Sequence, residues 1–511
     1  MDELVISLQE YQNAVKGCWM GKNIGGTLGA PMEWIRKVHN VEFYQQELDG
    51  NPLPNDDLDL QLLWLIALEE QGIYLNARTL GDYWIHHISP NWAEYGNAKA
   101  NMKAGLIPPL SGSFNNSFKD SCGSYIRSEI WACISPGYPQ QAARYAYEDA
   151  IVDHGNGEGV YGEVFCAAFE SAAFVEKDIN NLLDIGLSYI PEDCDVAKAI
   201  RLVRKMHSEG KTWLETRDGI IRNFCGGFHY WVSEDDIKKG FGGGKVGAEV
   251  PSNVAIVVLG LLYGEGDFNK TMCLTVNCGE DTDCTGATVG AMLGIIQGYD
   301  KLPEKWITPI GDTIKTMCLN IGDLSWHLPK DIGNLSYRVE KIAKQVLAGY
   351  RISVDLSSDQ PTDYNADMMK TLFADEKTKG IYNYSNGTLY KFDFFEVYVD
   401  YGKDGAVVGE DGTKKIRLQI RNTYSTPEML NINWYTADGF EVLPARSTKV
   451  FMQYNYTHLF PTDEYNGIKY VDFELKTEAP MQPTNRFVIE ITIDGKATVM
   501  LIPVILLSGM H

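Results

Sequence analysis

The chain has 511 residues and carries 45 Lys and Arg against 68 Asp and Glu, which gives a formal net charge of −23. This length exceeds what one hydrophobic core usually supports, so two domains are expected. The negative charge argues against broad binding of nucleic acids or anionic membranes, because both require a basic surface.

The amino terminus and the cysteines favour a cytoplasmic protein. Residues 1–4 lack the basic start of a signal peptide, and no segment is long and apolar enough to cross a bilayer. The ten cysteines all precede residue 319 and form no Cys-x-x-Cys pair. Their spacing matches no zinc module, so buried free thiols in a reducing compartment are the simplest interpretation.

The first predicted helix is rich in glycine. Tyr11, Val15 and Trp19 recur at helical spacing. The helix also contains glycines four residues apart: Gly17, Gly21, Gly25 and Gly29. This spacing lets another helix approach closely, and Pro31 predicts a tight turn at the end. No strand precedes these glycines, so a dinucleotide-binding loop is not expected.

The next predicted helix begins at an acidic turn. Asn55 is a natural helix cap, and Asp56 and Asp57 follow in the first turn, where the helix dipole favours acidic groups. A structural role is sufficient to explain this segment on its own, and one arm of a metal site is the alternative.

Two segments in the middle of the chain are candidates for ligand binding. The turn at Gly123, Ser124 and Tyr125 precedes an apolar helix, so it could offer N–H groups to an anion or simply start the helix. His154 lies between a predicted helix and the glycine-rich loop before Tyr161, a place where side chains often face clefts. An isolated histidine is, however, more often structural.

The densest group of polar side chains precedes a helix rich in glycine and alanine. The six residues 280–285 contain three carboxylates and two threonine hydroxyls: Glu280, Asp281, Thr282, Asp283 and Thr285. Short aspartates in a turn can converge on one ion, and oxygen ligands suit Mg²⁺, or alternatively Ca²⁺ or Mn²⁺. An acidic helix cap is the competing interpretation.

The pattern changes beyond about residue 352. We predict an all-α domain over residues 1–355, a polar linker over 356–385, and a β-sandwich of immunoglobulin-like type over 386–511, which makes the chain mainly α. The last region contains short alternating runs separated by turns, for example at Gly387, Gly439 and Gly495.

Four of these segments, in this order, resemble motifs of the ADP-ribosylglycohydrolase family, which includes dinitrogenase-reductase-activating glycohydrolase. Residues 25–33 are similar to G-D-A-x-G-x-P-x-E, and residues 55–57 are similar to T-D-D or S-D-D. Residues 149–154 with 161–162 are similar to D-A-x-x-(S/T)-H, and residues 280–284 to G-D-T-D-T. The resemblance extends over roughly residues 10–350.

This resemblance implies a Mg²⁺-dependent hydrolase that cleaves the glycosidic bond at the distal ribose of ADP-ribosyl conjugates, either small molecules or modified proteins. By position, two Mg²⁺ ions would be held by Asn55, Asp56, Asp57, Asp281 and Asp283. Candidates for the carboxylate that takes the proton of the attacking water are Asp57, Asp56 and Glu33. The residues matched to substrate binding are Gly123, Ser124 and Tyr125, at the expected diphosphate loop, together with His154 and Tyr161.

Three positions depart from the family motifs. Gly26 stands in place of an aspartate, and Asn55 stands in place of a threonine or serine. Cys284 replaces a threonine that the family uses as a ligand, and a thiol is a poor partner for Mg²⁺. Thr282 or Thr285 could take over that role.

These departures leave other functions open. Glu280, where the family has glycine, adds a charge that could compensate for a lost ligand or alter selectivity. One alternative is a hydrolase of a different ribosyl or glycosyl compound. Another is a non-catalytic protein of the same fold that binds ADP-ribose.

Overall fold

The computed structural model describes residues 4–225, 238, 247–365, 367–455 and 466–509. The chain divides into two compact units. The first comprises residues 1–97 and 116–381, and the second comprises residues 98–115 and 382–511. The first unit is built mainly of helices and the second mainly of strands, as the sequence predicts.

Helices occupy most of the first unit. In chain order, the α-helices of the described residues are α1 Leu8–Gly29, α2 Asp56–Gln71, α3 Ala77–His87, α4 Ala93–Lys103, α5 Leu110–Ser113, α6 Glu129–Cys133, α7 Pro139–Ala150, α8 Glu158–Ala172, α9 Ile179–Leu187, α10 Asp195–Ser208, α11 Trp213–Phe224, α12 Val250–Gly264, α13 Phe268–Asn277, α14 Thr282–Gln297, α15 Glu304–Ile307, α16 Ile321–Leu324, α17 Ile332–Gly349 and α18 Glu376–Lys379. Within the described parts of the chain, none of these helices has the length and apolar character needed to cross a bilayer.

A short parallel sheet joins the two ends of the first unit. Strand β1 (Leu4–Ser7) pairs with β2 (Val354–Ser357), with Leu4 opposite Val354 and Ser7 opposite Ser357. Leu4, Ile6 and Val354 are buried, so the pair is held by apolar burial as well as by backbone hydrogen bonds. The stretch predicted as a linker, residues 356–385, contains the end of strand β2 and the whole of helix α18.

Helices α1 and α14 run antiparallel with their backbones in direct contact. A Cβ atom on α1 would overlap a backbone carbonyl of α14 at four positions: Gly17 against Gly294, Gly21 against Gly290, Gly25 against Gly286, and Gly29 against Thr282. In the other direction, a Cβ at Gly286 would lie 2.8 Å from the Gly25 carbonyl oxygen. This confirms the close helix approach that the glycine spacing predicts, and it places the start of α14 beside the end of α1.

The second unit contains two sheets, each with five strands among the described residues. Its strands are β3 Gly387–Lys391, β4 Phe395–Asp400, β5 Val407–Val408, β6 Thr413–Asn422, β7 Glu428–Tyr435, β8 Phe440–Leu443, β9 Ser447–Met452, β10 Ile468–Thr477, β11 Thr484–Ile493 and β12 Val499–Ser508. The strand orders are β3-β4-β6-β10-β8 and β5-β12-β11-β7-β9. All neighbours are antiparallel except β5 and β12.

One hydrophobic core is shared by the two sheets. Alternate residues are buried along β6 and β11, and Leu418 and Ile489 belong to the same buried cluster as Trp434. The predicted turns at Gly439 and Gly495 have φ of +80° and +77°, values that glycine adopts without strain. The C-terminal β region is therefore confirmed, and its immunoglobulin-like topology stays a prediction.

The core of the second unit also includes residues from much earlier in the chain. Leu106 and Leu110 are buried in the same cluster as the strands, and Phe114 packs against it. The Thr388 hydroxyl donates to the Pro108 carbonyl at 3.1 Å. Residues 98–115 are thus part of the β unit, although they fall within the sequence range predicted as the all-α domain.

We expect Gly21→Ala to destabilise the protein, because the added Cβ overlaps the Gly290 carbonyl in a contact that cannot relax without separating α1 from α14. Overpacking of this kind costs about 1–3 kcal/mol of unfolding free energy. Gly322→Ala is the matched control, since Gly322 is exposed, lies in a helix, and its nearest neighbour would be 3.5 Å from the new Cβ. Equal stability of the two variants in urea unfolding would contradict the direct backbone contact.

Truncation after residue 381 should expose the apolar side chains of residues 98–115, because their partners in the β unit are removed. The truncated chain is expected to self-associate in sedimentation experiments. Replacing Leu106 and Leu110 by Asn in that truncated chain should reduce the association. A monomeric, soluble truncated chain without these replacements would show that the segment is not part of the β core.

Candidate metal centre

Five carboxylates from three separate segments converge in the first unit. Glu33 follows the 3₁₀ helix Ala30–Met32 at the end of α1, Asp56 and Asp57 occupy the first turn of α2, and Asp281 and Asp283 lie at the start of α14. We call Glu33, Asp56, Asp57, Asp281 and Asp283 the acidic cluster. The contact between α1 and α14 brings Glu33 close to Asp281 and Asp283.

The acidic cluster contains two overlapping groups of potential metal ligands. Ligand atoms of Glu33, Asp281 and Asp283 all lie within 4.8 Å of one another, and so do those of Asp57, Asp283 and Cys284. Asp283 belongs to both groups. These residues therefore suit two neighbouring cations that share one carboxylate, in agreement with the number that the family resemblance implies.

Buried carboxylate oxygens without hydrogen-bond donors among the described residues support a cation-binding role. Asp57 is fully buried and Asp281 is 4% exposed, yet Asp57 Oδ2 and Asp281 Oδ1 accept no hydrogen bond from any described residue. Asp281 precedes α14 but makes no capping hydrogen bond with its side chain, so helix capping does not explain it. Buried carboxylate oxygens without donors are costly, and a hard cation would satisfy them.

The pKa values reflect the crowding of negative charge. Glu33 is exposed as a residue, but desolvation of its carboxyl group and the nearby Asp283 and Asp56 raise its pKa to about 9. Burial and Asp283 raise the pKa of Asp56 to about 6. Burial, followed by Asp283 and Glu33, raises the pKa of Asp281 well above its usual range. These groups cannot all be ionised unless positive charge is supplied.

Lys22 supplies part of that charge from α1. Its Nζ atom lies 2.7 Å from Glu129 Oε1 and 3.9 Å from Asp57 Oδ2, in a fully buried position. Although burial opposes ionisation, Glu129 and Asp57 raise the pKa of Lys22. Lys22 is therefore shared between Glu129 and Asp57. Glu129 is also held by Gln61, whose Nε2 donates to Glu129 Oε2 at 2.8 Å. One shared lysine does not neutralise the acidic cluster.

Asn55 and Gly26 fit each other. Asn55 Oδ1 accepts the Asp57 N–H at 2.8 Å and caps α2, as predicted. A Cβ at Gly26 would overlap Asn55 Nδ2, so the asparagine amide occupies space that a larger residue 26 would fill. The two departures from the family motifs therefore form one coupled change. Whether Asn55 also binds a cation stays a prediction.

Glu280 is outside the acidic cluster despite its place in the motif. Its backbone has a φ of 71°, and its carboxylate accepts two hydrogen bonds from Arg36, Nε to Oε1 at 2.7 Å and Nη2 to Oε2 at 2.8 Å. This buried pair neutralises the glutamate. Its charge thus compensates for no missing ligand.

The residues predicted for the diphosphate loop are buried. The Gly123 carbonyl accepts a hydrogen bond from Arg127 Nη1 at 2.6 Å, and Ser124 Oγ donates to the Gly159 carbonyl at 2.6 Å. The Tyr125 hydroxyl is fully buried, and no described residue forms a hydrogen bond with it. Their role in substrate binding stays a prediction.

His154 belongs to a buried polar group beside this loop. Its Nδ1 lies 3.0 Å from Asp153 Oδ1, and its Nε2 lies 3.4 Å from Ser121 Oγ, which in turn donates to Glu94 Oε2 at 3.0 Å. Asp153 is also paired with the buried Arg127 at 2.6 Å. These contacts account for the motif in structural terms. The predicted ligand contact of His154 stays a prediction.

Tyr161 is half-buried, and burial followed by Cys194 and Glu158 raises its pKa to about 12. Its predicted ligand contact also stays a prediction.

Several residues of the site could not be identified from the sequence. The Tyr95 hydroxyl donates to Asp56 Oδ2 at 2.9 Å, but nothing in its helix sets it apart from a packing aromatic. Glu129 likewise resembles an ordinary helix-start residue. Lys22 did carry a signal, because a charged residue between glycines on a helix with a buried face requires a partner.

Comparisons with known proteins agree with the motif analysis. A sequence model of the family described as ADP-ribosylglycohydrolase matches residues 7–332. An uncharacterised protein of Archaeoglobus fulgidus is 20% identical over 310 residues, which cover 58% of this chain and 91% of that protein.

Two solved structures show limited similarity. One, titled "ADP-ribosylglycohydrolase-related protein complex", has 18% identity and a TM-score of 0.42 and covers 68% of this chain and 99% of its own. The other, a FixG-related protein from Vibrio parahaemolyticus, has 8% identity and a TM-score of 0.17 and covers 23% of this chain and 95% of its own.

Addition of a divalent cation to metal-stripped protein should raise Tm and release protons. Glu33 has a pKa of about 9, against 4.5 for an unperturbed glutamate, so at neutral pH it is protonated without a cation and ionises when one binds. Because the folded pKa is raised, the stability of the metal-free protein falls as pH rises from about 4.5 to 9, and cation affinity rises over the same window.

Calorimetric titration with Mg²⁺ in buffers of different ionisation enthalpy measures both effects. Asp283→Asn should weaken binding strongly because Asp283 belongs to both ligand groups. Asp300→Asn, at an exposed position, should leave it unchanged. Cation binding without proton release would show that the carboxylates are already ionised.

Proposed function

Because the chain belongs to the ADP-ribosylglycohydrolase family, we propose that it is a divalent-cation-dependent hydrolase that cleaves the glycosidic bond at the distal ribose of ADP-ribosyl conjugates. Family membership supports a glycohydrolase-type activity. The proposal adds the substrate and the cation. It depends above all on one observation: the convergence of carboxylates from three motif segments, with buried oxygens that lack donors.

Mg²⁺ is the proposed cation beside Asp281 and Asp283, with the Glu33 carboxylate next to it but not bound to it. Both proposed ligands are carboxylates, which Mg²⁺ prefers, and Mn²⁺ or Ca²⁺ would also accept them. A divalent cation held there would orient the hydroxyls of a ribosyl group and increase the acidity of a nearby water molecule.

Glu33 is the proposed general base. Asp57 is fully buried and accepts a hydrogen bond from Cys284 Sγ at 3.5 Å, while Asp56 accepts one from Tyr95. Glu33 is the most exposed residue of the acidic cluster, and its carboxylate forms no hydrogen bond or ion pair with any described residue. It is therefore the member of the acidic cluster that a water molecule can approach most freely.

The proposed reaction consumes one water molecule. Glu33, in its ionised form, takes a proton from water as the oxygen attacks the anomeric carbon, and the bond from that carbon to the leaving group breaks. The leaving group keeps the bonding electrons and receives the proton that Glu33 took from water, which returns Glu33 to its ionised form. Tyr95 holds Asp56 in place, and Lys22 limits the repulsion at Asp57.

Substrate contacts are proposed at the loop of Gly123, Ser124 and Tyr125, with His154 and Tyr161 beside it. In a chain with a net charge of −23, a diphosphate needs local donors such as backbone N–H groups. The expected partners are small or protein-linked ADP-ribosyl compounds, without nucleic acid. All ten cysteines are free, which supports the proposed cytoplasmic location.

A second candidate function is hydrolysis of another ribosyl or glycosyl compound. It is favoured by the coupled change at Gly26 and Asn55 and by Cys284, because these departures from the family motifs adjoin the acidic cluster. A binding protein without turnover is the further alternative.

Release of ADP-ribose from N-linked and O-linked conjugates, measured with Mg²⁺, tests the proposal. Replacing Asp281 and Asp283 together by Ala should abolish release. Glu33→Gln should lower kcat about 10²- to 10⁴-fold, the usual contribution of a general base, while ADP-ribose still binds. Glu304→Gln, at an exposed helix start, is the matched control.

The outcome separates the three functions. Full activity of the Asp281→Ala, Asp283→Ala protein would refute the mechanism. Release of a free sugar from other glycosides, with ADP-ribosyl conjugates left intact, would favour the second candidate. Binding of ADP-ribose without release of any product would favour the binding protein.

A further inference from the structure

We propose that Cys284 is a metal ligand and that the group Asp57, Asp283 and Cys284 binds a thiophilic divalent cation, such as Zn²⁺, beside the all-carboxylate position. This assigns different cations to the two halves of the acidic cluster. The inference concerns the site of the proposed function, but its test needs no substrate and no turnover.

The spacing of the three side chains fits a shared ion. Cys284 Sγ lies 3.5 Å from Asp57 Oδ1, and the ligand atoms of Asp57, Asp283 and Cys284 lie within 4.8 Å of one another. Tetrahedral ligands at typical Zn–S and Zn–O bond lengths are about 3.6 Å apart. The observed sulfur-to-oxygen distance is thus close to that of two ligands on one Zn²⁺.

The surroundings of Cys284 differ from those of a packing cysteine. A buried thiol in a core normally has apolar neighbours. Cys284 is 7% exposed and faces carboxylates, and the other oxygen of Asp57 accepts no hydrogen bond from a described residue. The only positive group near that oxygen among the described contacts is Lys22, at 3.9 Å. An unsatisfied, fully buried oxygen beside the thiol is independent support for a bound cation.

The neighbouring threonines do not replace Cys284 in the structure. Thr282 Oγ1 donates to the Gly29 carbonyl at 2.8 Å, and Thr285 Oγ1 is 3.4 Å from the Thr282 carbonyl. Both hydroxyls are therefore directed at backbone oxygens. In the first turn of α14, Asp283 and Cys284 are therefore the side chains that reach Asp57, and Cys284 is the one that is not a carboxylate.

Two other cysteines near acidic groups lack this arrangement. Cys122 Sγ donates to the Ala248 carbonyl at 2.9 Å. Cys225 Sγ lies 3.6 Å from Glu280, whose carboxylate is already bound by Arg36. Among these three cysteines, Cys284 is therefore the one grouped with a carboxylate oxygen that has no donor.

The donor set determines the kind of cation. One thiolate and two carboxylates provide three protein ligands and leave a position open, as in catalytic zinc sites. A sulfur ligand favours Zn²⁺ or Co²⁺ over Mg²⁺, because Mg²⁺ binds thiolates poorly. Binding converts the thiol to the thiolate and releases its proton to solvent.

Titration of full-length, metal-stripped protein with Co²⁺ is the direct test, because cobalt–thiolate bonds absorb in the near ultraviolet. We expect the intensity of this charge-transfer band to saturate at one equivalent of Co²⁺ per protein. Added Zn²⁺ should displace the Co²⁺ and remove the band. Cys284→Thr should remove the band and weaken Zn²⁺ binding at least about tenfold, because losing even an outer-shell partner of a metal ligand costs about that much affinity. The same variant should retain Mg²⁺ binding.

Cys273→Ser is the matched control, since Cys273 is half-buried and is not grouped with the acidic cluster. It should retain the band. Absence of the band in the wild-type protein, or its persistence in Cys284→Thr, would overturn the inference. Cys284→Ser, closer in size, serves if the threonine variant does not fold. A band that depends on Cys284 in a protein that releases no ADP-ribose would refute the proposed function and leave the inference intact.

Discussion

The direct contact between the backbones of α1 and α14 is the constraint on which the site depends. Each helix presents glycines along the contact, so carbonyl groups take the space that side chains would otherwise fill. The helices run in opposite directions, which places the end of α1 next to the start of α14. Glu33, just beyond α1, therefore meets Asp281 and Asp283, although about 250 residues separate them. A wider helix separation would leave these carboxylates too far apart to share an ion.

The carboxylates of the motif segments fall into two kinds, which differ in their partners. Glu280 is paired with Arg36, and Asp149 and Asp153 are both bound by Arg127. Those carboxylates stabilise the fold around the site. The acidic cluster has only the shared Lys22, so its charge remains uncompensated and available to a ligand. Conversely, Glu280, Asp149 and Asp153 belong to the motif segments, but each is held by an arginine of the surrounding fold.

Local patterns predicted the elements well, because helix periodicity, capping residues and turn glycines act over a few positions. The course of α1, the cap at Asn55 and most β-strands follow from such signals. Contacts over long sequence distances were harder to foresee. Tyr95 reaches Asp56, and Arg36 reaches Glu280, through packing that no short pattern encodes. The same holds for Leu106 and Leu110, whose apolar character is equally compatible with a helical core.

The early position of residues 98–115 in the sequence affects how the chain folds during synthesis. This segment leaves the ribosome long before the strands of residues 382–511, with which it shares a core. Domains usually fold as units as they emerge, starting from the amino terminus. Here the core of the β unit includes Leu106 and Leu110. These residues are synthesised long before the strands that cover them, so they remain uncovered until those strands are made. The two units are thus interleaved in sequence but not equally in time: the first unit has all its residues once residue 381 is made, whereas the second unit still lacks the strands that complete its core.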